Sequence, residues 1–270
     1  MSVVLEFHFN PLKKIISKIK PEEKWSVFDT FCFLPQTLFE KKQGEIYMLG
    51  EIKNILPKSD FVLNKTARII KKYFYQKNLL PSSDSFQLAL NKANNFLWQW
   101  SQSNNALFTG NFHFAVFAIS PNCNIRISKA GDIKIVLFRN NEVFDIGSNF
   151  DNSFGNNKIF PDLIEGRLHQ KDMVLVATSE VFESFCNEHI LEQLAQCQKP
   201  SQAKKIFKAK KRIVREFTGA CLLVFIKKRP LISLFVAWDN FSAKQKKALL
   251  ILSLSFFCVI GLFILFVFLR

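Results

Sequence analysis

From Ala248 to Leu269 the sequence runs for 22 residues without a charged side chain. As a helix that run is about 33 Å long, against a hydrocarbon core of about 30 Å, so it predicts a transmembrane span. A core helix of a globular domain keeps one polar side, whereas this run is apolar all round. Lys244, Lys246 and Lys247 precede the span and only Arg270 follows it, which puts the preceding domain on the cytoplasmic side of the membrane. The expectation is a single-pass, tail-anchored protein with no domain beyond the span. Leu231–Trp238 is apolar but too short to cross. The chain therefore divides into a folded domain at 1–229, a basic and apolar juxtamembrane linker at 230–247, and a transmembrane helix at 248–269.

Composition narrows what the first part can be. Hydrophobic residues make up 49% of the 270, with 31 phenylalanines but only nine glycines and nine prolines, which excludes disordered and collagen-like chains. Lys and Arg outnumber Asp and Glu by 37 to 22, a net charge of +15, which favours anionic partners. The joint abundance of Phe, Lys, Ile and Asn is also what an AT-rich genome produces without selection for binding. Six cysteines at 32, 123, 186, 197, 221 and 258 form no CxxC pair and no cluster with histidine, which argues against zinc. The first apolar stretch, Val3–Phe9, is short and broken by Glu6 and His8, so it is no secretory signal and the thiols are read as reduced.

Periodicity gives an α+β domain. Leu5, Phe7 and Phe9 alternate with polar neighbours as in a half-buried strand, and Trp25–Phe33 is a second β-rich run. Helices are predicted from Ser59 to about Tyr75, and after Ser82-Ser83-Asp84, where Phe86, Leu90, Ala93, Leu97 and Trp100 share one face. The period then changes to two. Phe112–Ser120, Cys123–Ser128, Ile133–Arg139 and Val143–Ile146 read as one antiparallel meander. Met173–Ala177 and Ala220–Ile226 are further strands, with helices over 181–197 and 201–216 between them. No GxxxxGK[ST], GxGxxG, HExxH or GxSxG motif occurs.

Three local sequences in this order resemble the metal-dependent PP2C (PPM) protein phosphatases. The stretch Lys129 to Val143, KAGDIKIVLFRNNEV, resembles that family's GDSRA-hydrophobic-R-NG hairpin. Leu168 to Glu183, LHQKDMVLVATSEVFE, is similar to its GD-hydrophobic-LATDGLFD stretch, and Asn187-Glu188-His189-Ile190 to its (D/N)EEI helix start. Gly44 to Glu51, GEIYMLGE, occupies the place of its VADGMGG strand. The resemblance covers about residues 1–228 and implies a PP2C-like β-sandwich flanked by helix pairs. It also implies a site where aspartates hold two Mg²⁺ or Mn²⁺ ions that activate water.

At each matching position the aspartate is missing. Gly50 stands in the ADG position and Ser179 in the TDG position, while Thr218-Gly219 replaces the late DN. The expected consequence is a membrane-tethered pseudophosphatase that binds a phosphoprotein or kinase partner without turning it over, with no cofactor. The alternative is an active Mg/Mn-dependent phosphoserine/phosphothreonine phosphatase whose ligands have moved to Glu51 and Glu180, each one residue further on. A shift of one residue along a strand turns a side chain to the opposite face, so these two acids are read as ordinary strand-end residues. Asp132 and Asp172 are read as turn residues, and His8, His113, His169 and His189 as scattered structural histidines.

A second candidate surface is the basic stretch 199–215. Lys204, Lys205, Lys208, Lys210, Lys211, Arg212 and Arg215 crowd a helix whose apolar side is Ile206, Phe207, Ile213 and Val214. A solvated face, a contact with anionic lipid and a nucleic-acid contact all fit this pattern. The lysines before the span turn the reading towards anionic lipid, met through Lys208, Lys210, Lys211 and Arg212, and away from nucleic acid.

Overall fold

The computed structural model describes residues 2–9, 26–53, 58–76, 82–104, 108, 110–148, 150, 158–160, 163–214 and 216–227, all within the compact unit Met1–Lys228. The linker at 230–247 and the predicted span Ala248–Leu269 lie outside the described residues. Among those described, no helix is long and apolar enough to cross a membrane. In chain order the elements are β1 (Val3–Phe9), β2 (Ser26–Phe33), α1 (Leu38–Gln43), β3 (Glu45–Lys53), α2 (Ser59–Phe74), α3 (Ser82–Asn104), β4 (Phe112–Ile119) and β5 (Asn124–Ala130). They continue with β6 (Lys134–Arg139), β7 (Glu142–Asp145), β8 (Ile164–Arg167), β9 (Met173–Ala177), α4 (Ser179–Asn187), α5 (Ile190–Ala195), α6 (Pro200–Ala209), α7 (Lys211–Val214) and β10 (Gly219–Phe225).

The strands form two antiparallel sheets of five, ordered β1-β10-β9-β6-β7 and β2-β3-β4-β5-β8. Alternation along each central strand sends side chains to two different cores. On β3, Tyr47 and Leu49 meet Phe117, Ile135, Val176 and Leu222 between the sheets. Ile46, Met48 and Ile52 point the other way, with Phe112 and Phe114, into a core closed by Val62, Leu63, Ile70, Phe74, Phe86, Leu90 and Leu97 of α2 and α3. The outer face of the first sheet is covered in the same manner by Val181, Phe185, Leu194 and Phe207. Helices thus sandwich a pair of sheets, and β4, β9 and β10, buried on both faces, read as near-continuous apolar runs, whereas β3 buries Glu45 and Glu51 among its apolar residues.

The α+β expectation holds, and four local expectations change. The strands from Phe112 to Ile146 are not one meander. β4 pairs with β5 and β6 with β7, but in different sheets, so Gly131-Asp132 carries the chain across the sandwich instead of closing a hairpin. The helix expected at 181–197 is two, because His189 adopts φ 51° and redirects the chain so that Phe185 and Leu194 both reach the core. The helix expected at 201–216 likewise breaks at Lys210, after Pro200 opens it. Two short elements are additions: β8, and α1, whose Thr37/Glu40 capping box was a readable signal.

Candidate functional site

The resemblance directs attention to one end of the sandwich, where β3, β4, the β5–β6 crossing, the start of α4 and the start of β10 converge. Gly50 does not face this end. A Cβ there would lie 2.6 Å from Phe114 Cδ2 and 2.8 Å from Leu63 Cδ2, on the helix side of the sheet. By alternation it is Glu51 that turns inward between the sheets, opposite His113 in the β3–β4 register. The expectation that a one-residue shift would aim Glu51 away from the site is thereby reversed. Glu51 is buried, and burial pushes its carboxyl up to about 6, with Glu180 and Asp132 adding to the rise and Lys53 and Ser26 opposing it. Glu180 itself is exposed.

Asp132 sits at the centre. Its carboxylate accepts from Ser179 Oγ at 2.7 Å and is paired with Lys134 Nζ at 2.8 Å. Ser179 also donates to the Asp132 carbonyl. Burial pulls the Asp132 carboxyl upward, but the hydrogen bonds from Lys134 and Ser179 prevail and hold it below the usual carboxylate range. The Asp132 amide donates to His113 Nδ1 at 2.8 Å, which fixes the imidazole as the Nε2–H tautomer. Gly131 makes that approach possible, since with φ +69° its Cβ would fall 2.3 Å from His113 Nδ1. Burial, reinforced by Lys53, lowers the His113 pKa to about 4, so the ring is neutral. Its Nε2 is buried, with the Gly110 backbone as its acceptor but outside good hydrogen-bond geometry.

The two remaining positions are closed by packing. Thr178, the N-cap of α4, has a buried hydroxyl without a hydrogen-bond partner. Gly219, at φ +130°, lies so close that a Cβ would come within 2.1 Å of Thr178 Oγ1. Thr218 is half-buried at the entry to β10. Lys129, buried beneath the crossing, donates to the Ile133 carbonyl at 3.3 Å, and burial pushes its pKa down. Among the described residues, no group of three His, Cys, Asp or Glu side chains is placed to hold a metal ion. Sequence reasoning reads His113 as a scattered structural histidine and gives Lys134 no role. Lys134 follows Asp132 by two residues within the Lys129–Val143 stretch, whereas only strand register brings His113 to Asp132.

Asp172 occupies the far end of the same strands and takes Arg139 on both carboxylate oxygens, at 2.7–3.3 Å. On the basic helices, Lys204, Lys205, Lys208, Lys211 and Arg212 are exposed while Ile206 and Phe207 pack inward. Lys210 differs from its neighbours: its ammonium donates to the Glu188 carbonyl and lies 3.7 Å from the Glu188 carboxylate.

Two antiparallel sheets packed face to face and covered by helix pairs give this chain the fold of the PPM-type serine/threonine phosphatases. The structure of serine/threonine phosphatase Stp1 from Staphylococcus aureus matches with a TM-score of 0.60 at 12% identity, covering 84% of this chain and 96% of that one. PppA, described as a key regulatory component of T6SS in Pseudomonas aeruginosa, matches with a TM-score of 0.53 at 10% identity over 74% of this chain and 97% of its own. The PPM Ser-Thr phosphatase MsPP from Mycobacterium smegmatis matches at 0.51 and 8% identity, over 77% and 99%. No protein-family model matches the sequence, and no curated protein does.

Proposed function

We propose that this chain is a membrane-tethered, PPM-fold pseudophosphatase, a regulatory module that binds a phosphoprotein or a kinase without turning phosphate esters over. The observation that carries the reading is that every position where the resemblance implies a metal-holding aspartate is taken up by protein. Gly50 is packed against Phe114 and Leu63, Ser179 donates to Asp132, and Gly219 abuts Thr178. Asp132, the acid nearest the centre, has its two oxygens engaged by Lys134 and Ser179. Hard divalent cations need several anionic oxygens converging on one point, and these residues do not fit a two-metal centre. The role of PppA as a regulatory component is consistent with such use of the fold.

The alternative, relocated ligands, draws on one observation: Glu51 faces the interior and feels both Asp132 and Glu180. Calorimetric titration with Mn²⁺ and Mg²⁺, beside an assay on a phosphothreonine peptide, separates the two. The expected result is neither binding nor turnover. Metal-dependent turnover that disappears in Glu51→Ala, Glu180→Ala would establish the alternative. The tether rests on Ala248–Leu269 with lysines before it, and anionic lipid contact on Lys208, Lys211 and Arg212. Retention in the membrane pellet after alkaline carbonate washing is expected, and release into the soluble fraction would overturn the anchor.

A further inference from the structure

Away from the sandwich end, the helix pair carries a surface that the phosphatase-like features leave unused. Between the outward faces of α2 and α3 lies a groove of about 490 Å³. Lys65, Arg68 and Lys72 form one wall, three and four residues apart and so on one face of α2, and Lys92 of α3 forms the other. Tyr73 and Phe96, half-buried, line the floor. All four cations are exposed, and no acidic side chain lines the groove. Like charges at this helical spacing repel each other, so the surface is stabilised by whatever anion settles on it.

We propose that this groove docks an acidic protein segment, one that sets carboxylates against Lys65, Arg68, Lys72 and Lys92 and lays an apolar side chain on Phe96. The floor argues against a nucleic-acid strand. Stacking a base needs an open ring face, whereas Tyr73 already has the Lys72 ammonium 5.5 Å and the Lys92 ammonium 5.6 Å from its centroid. The shape argues against a bilayer, because a flat headgroup layer meets convex surfaces and does not follow a concavity between two helices. A peptide side chain enters it. Charge of one sign in a concave site also steers an oppositely charged segment to it.

The test uses the full-length chain in neutral detergent micelles and a fluorescent peptide of repeating Glu-Glu-Leu, with a Gln-Gln-Leu peptide as its uncharged counterpart. The acidic peptide is expected to bind with an affinity that falls as salt rises, and to lose about tenfold in the double variant Arg68→Glu, Lys72→Glu. Reversal at Lys204 and Lys205, equally exposed on α6, is expected to leave binding within about twofold of wild type. Unchanged circular dichroism checks that the substitutions leave the fold intact. Equal binding of the uncharged peptide overturns the proposal, as does an equal loss in both double variants. So does displacement of the peptide by phosphatidylserine in the micelles or by single-stranded DNA at concentrations below that of the peptide. Because the readout is peptide binding, its failure leaves the metal positions untouched.

Discussion

Strands β6 and β9 run side by side, and their two ends have been built differently. At one end Asp172, 3% exposed, takes Arg139 on both oxygens and accepts the His169 amide at 2.6 Å. At the other, Asp132 is 46% exposed, shares itself between Ser179 and Lys134, and neighbours a buried histidine nitrogen poorly aligned with its acceptor and a buried threonine hydroxyl without a hydrogen-bond partner. The strands between them are equally apolar at both ends. A sandwich of this kind is therefore specified by its alternating core, and its ends are free to diverge. One end is a lock in which Asp172 meets Arg139 on both oxygens and the Arg139 Nη2 also donates to the Arg167 carbonyl. The other keeps a buried glutamate and unmatched polar atoms, which persist in native proteins mainly where a site has, or had, a use.

The largest expected effect tests whether the second end can accommodate an aspartate of the kind that the PPM resemblance implies. Gly50→Asp drives a Cβ into Phe114 and Leu63 and buries a carboxylate on the helix side, so a loss of about 4 kcal/mol or more is expected in urea unfolding, without gain of metal binding. Next comes the lock. Arg139→Ala strands Asp172 and is expected to cost about 3 kcal/mol, recovered when Asp172→Asn is added.

The smallest effect sharpens the comparison by pH. The Glu51 carboxyl, raised to about 6 from 4.5, binds its proton more tightly in the folded chain, so its contribution to stability falls as pH rises through that window. His113, lowered to about 4 from 6.5, does the opposite, and its contribution rises between those values. At 1.36 kcal/mol per pK unit the two are worth at most about 2 kcal/mol for Glu51 and about 3 kcal/mol for His113, so in the wild type they offset in part and leave a small net rise with pH. Urea unfolding at pH 4.5 and 6.5 is expected to show a steeper rise with pH in Glu51→Gln and a fall in His113→Gln. Parallel slopes in the two variants would mean that these groups do not set the balance.

What could be read in advance follows from range. The strands of β4 and β9, the apolar face of α3 and the resemblance in Lys129–Val143 are carried by neighbours in sequence, and the fold class came with them. The break at His189 was not readable, because the demand that Phe185 and Leu194 face one core comes from the sheet beneath them. The site depended on register still more. Glu51 rather than Gly50 faces inward only because Tyr47 and Leu49 do, and a shift of one residue in reading β3 against a motif reverses that assignment. His113 carried no motif at all; its pairing opposite Glu51 became legible only with β4 in place.

The pairing of β1 with β10, Val3 against Phe225 through Phe9 against Gly219, joins the beginning of the domain to its end. During translation at about 5–20 residues per second, Leu5, Phe7 and Phe9 wait roughly 10–45 s for the strand that completes their sheet. A nascent chain halted anywhere before Gly219 consequently leaves the apolar face of β1, Leu5, Phe7 and Phe9, without the strand that pairs with it. An unpaired strand edge of this kind is a template for wrong pairing, so the order of synthesis leaves the β1 face exposed to aggregation until β10 docks.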